Sequence, residues 1–389
     1  MYIKELELTD FRSFRGTHRV CFYPGLNGII GANGAGKSNL LEAVRFALEP
    51  SYGIYHGPRE GLVWKDGAGR CSVTLTLSSV CGKKGDVTLR RSLSLAGEPG
   101  KSPRTYLHVD GNRCKLSEYH EMIRSLCLSD FDAFCNIDDD LGIRRMNVLQ
   151  DVLLRKSGVA GKKIRSLCIG KDIMNVERHF MVKAQEEIRK TIKLNNQSED
   201  FGECERIGEM INAVSERMNG MDERIAGLER LKMDGVKQEI SRFMELAAPI
   251  HSSMTGGWRM RLDIDEGEQL RAFACRPGGR EMGYDFLSAG DRMQFLLSIA
   301  LALGKFREHP VLVFDQVDWY LDRTRADRAG AELKKAGTER QIIMVSMSRA
   351  SIRHADSVLG VTMGRDGGSE AVGGAAGIAE EDRDEVRAL

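Results

Sequence analysis

Over the first 165 residues, apolar positions alternate with polar ones in short bursts. Ile3, Leu6 and Leu8 open a strand, and Gly25 to Ile30 ends in an apolar pair. Cys71 to Leu77 alternates with Thr and Ser, while Val87 to Leu95 and Thr105 to Val109 repeat the pattern around Gly-rich turns. One helix, Asn39 to Leu48, interrupts them. The period then changes. Ile207, Ile211, Val214, Met218, Met221, Ile225 and Leu228 recur at steps of four and three, which predicts a helix with a heptad seam. A second amphipathic helix is predicted from Asp172 to about Leu194. The polar stretch Asn195 to Gly202 would turn the chain, so the helices pair as a short antiparallel hairpin. Strand patterning returns at Arg259 to Ile264 and Leu270 to Cys275. A long apolar helix follows from about Asp291 to Phe306, then two β runs, Val311 to Phe314 and Ile342 to Val345. The expectation is an α/β fold assembled from an N-terminal half (1–165) and a C-terminal half (255–365), with a helical hairpin (166–254) between them. Residues 366–389 hold almost no large apolar side chain and are expected to form a disordered tail.

Composition narrows the class without naming a partner. Hydrophobic residues at 42% and charged residues at 29% exclude a disordered chain. The 57 basic and 56 acidic side chains nearly cancel, so any nucleic-acid surface must come from local clusters such as Lys83 and Lys84, Arg90 and Arg91, or Lys162 to Arg165. Scattered surface charge is the alternative for each. Nine cysteines contain no C-x-x-C pair, which argues against a disulfide framework and a zinc site. The apolar run Leu296 to Leu303 is far below the roughly 18 residues of a bilayer span. Lys4, Glu5, Glu7 and Asp10 break any secretory apolar core. No membrane partner is expected, and the chain should stay where it was made or enter a nucleus.

The strongest chemical signal is Gly31 to Ser38, a complete G-x-x-x-x-G-K-[ST] pattern after a strand and before a helix. Gly34 and Gly36 let backbone N–H groups wrap a phosphate, with Asn33 and Asn39 flanking them. Lys37 reaches the β and γ phosphates of ATP, and Ser38 offers its hydroxyl to Mg²⁺. Such a loop needs a carboxylate at the end of a neighbouring buried strand, and Asp315, after Val311 to Phe314, supplies it as a second metal ligand.

Leu287 to Arg292 leads into the apolar helix, with Ser288 at its N-cap and Asp291 three residues on. These residues resemble the ABC signature. The arrangement of split P-loop, helical hairpin, signature helix and Asp315 strand is similar to the head of an SMC or related DNA-repair ATPase. Met1 to Lys4, Phe11 to Arg15 and Asn33 to Asn39 look most like the third SMC subunit, that of cohesin; Leu287 to Asp322 and Gln341 to Val361 resemble later segments of that head. The resemblance implies two heads, as homo- or heterodimer, sandwiching two ATP molecules. Ser288 and Gly290 would meet the γ-phosphate on the opposite head, Arg12 and Ser13 would lie beside the nucleotide on their own, and Asp322 would belong to the D-loop at the interface. It also implies DNA and a kleisin-like subunit as partners, on a nuclear chromosome or a bacterial nucleoid.

Departures from that pattern shape the expected activity. Gln316 stands where the family carries the glutamate that polarises the attacking water; an amide can hold water but cannot take its proton, so ATP binding survives while hydrolysis is slow. Asn136 to Leu141 occupies the expected Q-loop, where Asp138 or Asp139 would face the metal or simply be solvated. Ala289 replaces a signature glycine, harmless if its φ is negative. The helical stretch between the halves, from about 172 to 247, holds roughly 75 residues, leaving no room for a hinge; an arm of roughly 30 residues spans on the order of 45 Å. The lysine pair of cohesin is unmatched, with only Lys101 and Arg104 nearby. His179 and His354 read as ordinary surface positions. Two other readings stay open: a non-catalytic ATP-gated module of an SMC complex, and a compact RecF-like repair ATPase.

Overall fold

A computed structural model describes residues 1–49, 59–64, 69–78, 85–95, 103–128, 149, 153, 171–176, 178–183, 186–187, 190, 200–265 and 269–373. The chain divides into two compact units, Met1–Val148 with Phe243–Leu389, and Leu149–Arg242. In chain order the first part of the larger unit holds β1 (Tyr2–Phe11), β2 (Phe14–Cys21), β3 (Leu26–Ile30), α1 (Lys37–Leu48), β4 (Arg70–Ser78), β5 (Val87–Ser94), β6 (Arg104–Val109), β7 (Asn112–Cys114) and α2 (Leu116–Ser125). After α3 (Asp200–Thr255) come β8 (Arg259–Ile264), β9 (Leu270–Cys275), β10 (Glu281–Gly283), α4 (Ala289–Phe306), β11 (Val311–Asp315), α5 (Arg323–Gly337), β12 (Gln341–Val345), α6 (Arg349–Ile352), β13 (Ser357–Met363) and β14 (Ser369–Gly373).

Among the described residues the strands form three sheets. One is antiparallel in the order β2-β1-β4-β5-β6-β7, a second is β10-β9-β8, and the third runs β11-β12-β3-β13-β14. In the third sheet β3 of the N-terminal half lies between β12 and β13 of the C-terminal half, parallel to both. Strands covered on both faces must be apolar throughout, and Val311 to Phe314 and Ile342 to Val345 are fully buried. Two buried amides bind the halves further. Gln341 accepts from Ile3 N–H and donates to the Ile3 and Tyr23 carbonyls. Asn27 donates to Tyr23 O and accepts from Tyr23 N–H and the Ser357 hydroxyl.

The helix of the glycine loop, α1, is anchored at its far end. Its last carbonyls would be orphaned in the core, and side chains from distant elements take them up: Arg91 donates to Phe46 O at 2.9 Å and to Glu49 O, and Tyr119 Oη donates to Ala47 O at 2.9 Å. Arg91 is therefore no phosphate-contacting surface residue. It is buried over the Phe46 ring, whereas its neighbour Arg90 is exposed. Lys83, Lys84, Lys101, Lys162 to Arg165 and the Asn136 to Leu141 stretch lie outside the described residues.

The tail differs from expectation over its first part. Ser369 to Gly373 form the edge strand β14, antiparallel to β13. An edge strand draws its stability from backbone pairing and a buried polar anchor, here Ser369, so it needs few large side chains. Residues 374–389 lie outside the described residues. His354 also departs from a plain surface position: its Nε2 lies 2.7 Å from Asp327 Oδ1.

In the smaller unit, helical residues 171–176 and 178–183 precede α3. The seven seam positions from Ile207 to Leu228 are half-buried, Met218 fully, while most of the positions between them are exposed. Lys171 forms an ion pair with Asp222 in the same unit. Most of the expected turn, 195–199, lies outside the described residues.

From Phe243 onward α3 belongs to the larger unit and packs on α4, a helix buried almost all round. Phe243 meets Phe306 edge-on at 5.7 Å, and Gln294 Nε2 donates to Met254 O at 2.8 Å. His251 lies buried between them, with Nδ1 3.2 Å from Ser298 Oγ and its ring edge-on to Phe295. Burial pushes its pKa down from 6.5 to about 4, against the opposing pull of the Gln294 backbone and Asp291. The folded pKa lies below the unfolded one, so unfolding takes up a proton between those values. Stability is complete above the unfolded pKa and falls as the pH drops toward 4. The loss attributable to His251 is expected to reach about 3 kcal/mol. Urea unfolding of wild type and His251→Gln at pH 7 and pH 4.5 checks this: the gap between them should narrow at the lower pH, and a gap independent of pH would refute it.

Candidate functional site

The loop Gly31 to Gly36 leaves the end of β3 and turns directly into α1. Gly31, Gly34 and Gly36 all have positive φ, the last at 104° as the N-cap of α1, a conformation that costs a residue with a β-carbon. Gly36 has a second constraint: a β-carbon there would run into Ser369 Oγ and lie 2.9 Å from Ser13 Oγ. Asn33 and Gly34 are exposed at the tip of the loop, and Ser38 and Asn39 sit half-buried in the first turn of α1. The first N–H groups of α1 have no carbonyl within the helix, so this end is suited to an anion.

Lys37 is 4% exposed, and its Nζ donates to Gly31 O and Ala32 O, both at 2.8 Å. Burial holds its pKa below the usual lysine value, against the attraction of Asp315. That attraction follows from the strand order: Asp315 closes β11, two strands from β3, and pairs in register with Val345, itself opposite Ile29. Gln316 follows with φ 49°, its N–H donating to Val345 O at 3.0 Å. Its half-buried side chain thus leaves the sheet from a left-handed backbone.

The turn between β1 and β2 brings Arg12 and Ser13 to the same loop. Arg12, at φ 51°, pairs with Glu42 on α1. Ser13 Oγ accepts from Asn39 Nδ2 and from Ser369 Oγ, each at 2.7 Å. Glu42 and Ser369 had not been singled out from sequence. The signal for Glu42 was its position one turn after Ser38 on the loop helix; burial raises its pKa, opposed by Arg12 and Arg45. No local signal marks Ser369.

Ser288, Gly290 and Asp322 belong to a second cluster. Exposed Ser288 caps α4: its Oγ accepts from Asp291 N–H and donates to Asp291 Oδ2 at 2.6 Å. Ala289 begins the helix without positive φ, so its β-carbon is tolerated. Gly290 has no such latitude, because a β-carbon there would stand 2.9 Å from Tyr320 O. Asp291 is 4% exposed and pairs with Arg325 at 2.8 Å. Asp322 caps α5 by accepting from Thr324 and Arg325 N–H. The start of α4 and the segment after Gln316 are therefore one packed unit, with Trp319 and Tyr320 exposed beside it. Buried Asp318 accepts from Ser346 Oγ, joining this segment to the end of β12.

Comparison with known proteins matches this architecture. A family model described as RecF/RecN/SMC N terminal domain covers residues 2–370. The chromosome partition protein Smc of Thermoplasma acidophilum is 34% identical over 127 residues, 32% of this chain and 11% of that protein. Its namesake in Bacillus subtilis is 26% identical over 217 residues, 50% of this chain and 18% of that one. The chain thus spans about a tenth to a fifth of the length of these curated relatives. Among solved structures, an Smc head domain with an extended coiled coil from Pyrococcus furiosus, bound to the C-terminal domain of ScpA, superposes with a TM-score of 0.68 at 21% identity over 100% of this chain and 98% of that one. An SMC head domain from Thermotoga maritima gives 0.54 at 19% identity, over 96% and 99%.

Asp291 is the centre of the second cluster: its removal takes the nearer carboxylate from Arg325, which keeps Asp322 at 3.4 Å, and takes from the Ser288 hydroxyl its acceptor. Asp291→Ala is expected to destabilise the fold by about 2–4 kcal/mol. Denaturant unfolding measures it; a change under about 0.5 kcal/mol, ordinary for a surface site, would show that the cluster is not held by this carboxylate.

Proposed function

Because the chain belongs to the RecF/RecN/SMC N-terminal domain family, we propose that it is an ATP-binding SMC head serving chromosome partition, and that two heads engage across sandwiched nucleotide. One observation carries the reading: β3 with its glycine loop and β11 with Asp315 stand two strands apart and parallel in one sheet, close enough for Asp315 to act on Lys37. In this reading the N–H groups of Gly34 to Asn39 hold the phosphates, Lys37 exchanges the Gly31 and Ala32 carbonyls for β and γ oxygens, and Arg12 and Ser13 flank the nucleotide. The Ser38 hydroxyl and Asp315 carboxylate are hard oxygen donors suited to Mg²⁺, which would neutralise charge on the phosphates. The exposed Ser288 hydroxyl, with Gly290 behind it, reaches the γ-phosphate bound by the other head, and the Asp322 segment lies along that interface.

The same reading assigns partners by resemblance. A ScpA-like kleisin subunit and chromosomal DNA fit a head of this type, in a nucleoid or on a nuclear chromosome. The likeness of the opening residues to the cohesin subunit favours a role in chromosome cohesion, with a second SMC-type head, the same or different, as the mate. The interval between the halves suits a short arm without a hinge.

A specific observation favours a second form of the proposal, in which the head binds and releases ATP as a gate without turning it over. Gln316 carries an amide where a carboxylate base would stand. It can orient a water but leaves the proton with nowhere to go.

Two outcomes are expected. Mg-ATP should convert the protein to a dimer in sedimentation velocity, and both Lys37→Ala and Ser288→Arg should abolish the shift; equal dimer fractions with and without nucleotide would remove head engagement. Gln316→Glu should raise steady-state turnover by at least about ten-fold. Unchanged turnover in that variant would mean that the defect lies elsewhere and would remove the argument that Gln316 makes the head a gate.

A further inference from the structure

Ser369 opens the edge strand β14 and is 2% exposed, an unusual place for a hydroxyl unless it is occupied. It is occupied on both sides. Its N–H donates to Ser13 O at 2.8 Å, and its Oγ donates to Ser13 Oγ at 2.7 Å. From the opposite direction Asn39 Nδ2 donates to the same Ser13 Oγ at 2.7 Å. A second tie holds the β13–β14 hairpin to this turn, since Arg15 pairs with Asp366 at 3.5 Å.

A hydroxyl has two lone pairs and one hydrogen. At Ser13 both lone pairs are filled, one by α1 and one by β14, so the hydrogen is what remains to be donated. Ser13 Oγ also lies against the last glycine of the loop, as the clash at Gly36 shows. A phosphate oxygen accepts and never donates, so a hydroxyl free to rotate would present it with lone pairs part of the time. One held by two donors presents only hydrogen.

We infer that Ser369 is a positioning residue for nucleotide binding: by filling a lone pair of Ser13 it fixes that hydroxyl as a donor toward a phosphate oxygen at the glycine loop. The chain thereby recruits a residue from the far end of the C-terminal half to orient a side chain of the first β turn. This rests on the reading of the loop as an ATP site, and it adds a component that does not itself touch the ligand.

Titration calorimetry with Mg-ATP tests it on wild type, Ser13→Ala, Ser369→Ala, Ser369→Cys and the Ser13→Ala/Ser369→Ala pair. Ser13→Ala is expected to weaken binding about 10-fold and Ser369→Ala about 5-fold. Ser369→Cys keeps the volume in the strand and donates weakly, so it should lose affinity even where its melting temperature matches wild type. Because Ser369 acts through Ser13, the double variant should bind like Ser13→Ala alone. Wild-type affinity in the Ser369 variants, or losses that multiply in the double variant, overturns the inference while leaving the ATP site intact. No uptake of Mg-ATP by wild type would overturn the site reading and this inference with it.

Discussion

The parallel pairing of β3 between β12 and β13 is the constraint from which the rest of the site follows. In the proposed function the glycine loop serves a phosphate only where a carboxylate can reach the accompanying metal. Here loop and carboxylate come from opposite ends of the sequence, and the hydrogen-bond ladder of a single sheet brings them within range. The buried amides of Gln341 and Asn27 reinforce that ladder, because each side chain bonds backbone of the half to which it does not belong, Gln341 at Ile3 and Tyr23 and Asn27 at Ile342. Such groups cannot be left unpaired in a core without a cost of about 1–3 kcal/mol apiece, so the two halves are held in register as well as in contact.

What was legible in the chain was what is local. The glycine loop needs neighbouring glycines and a following helix, and both are written in consecutive residues. The seam of α3 reads from a period, and its seven positions are sheltered while most of the positions between them are exposed. The N-cap of α4 at Ser288 follows from its spacing to Asp291. Hidden from the sequence were partnerships over long separations: Arg91 against the end of α1, Ser369 against Ser13, Arg325 against Asp291. Each residue looks like a polar side chain facing water until the fold supplies its partner. Arg91 misled in the most instructive way, since a basic pair on a strand suggests a phosphate surface, whereas alternation sends one of its two guanidinium groups inward.

The two clusters of the head differ in how they are built. Around the glycine loop, neutral hydroxyls and amides and one ion pair surround a buried ammonium that two carbonyls satisfy. At the start of α4 a single buried carboxylate gathers a helix cap and an arginine, while the hydroxyl beside it stays exposed. One arrangement is suited to enclosing a ligand, the other to presenting a rigid edge to something outside the molecule. Asp318, between Ser346 and the Gln316 turn, ties the second arrangement to the sheet that carries the first.

The left-handed backbone at Gln316 carries a consequence for evolution and engineering alike. A side chain with a β-carbon is strained there by about 1 kcal/mol or more, and glycine would relieve it. Selection for thermal robustness alone would therefore erode this position, favouring a hardier protein with nothing left to hold a water. Retention of a functional group at such a point trades fold stability against chemistry, and a screen that scores only folding would discard the residue to which the proposed function assigns the attacking water.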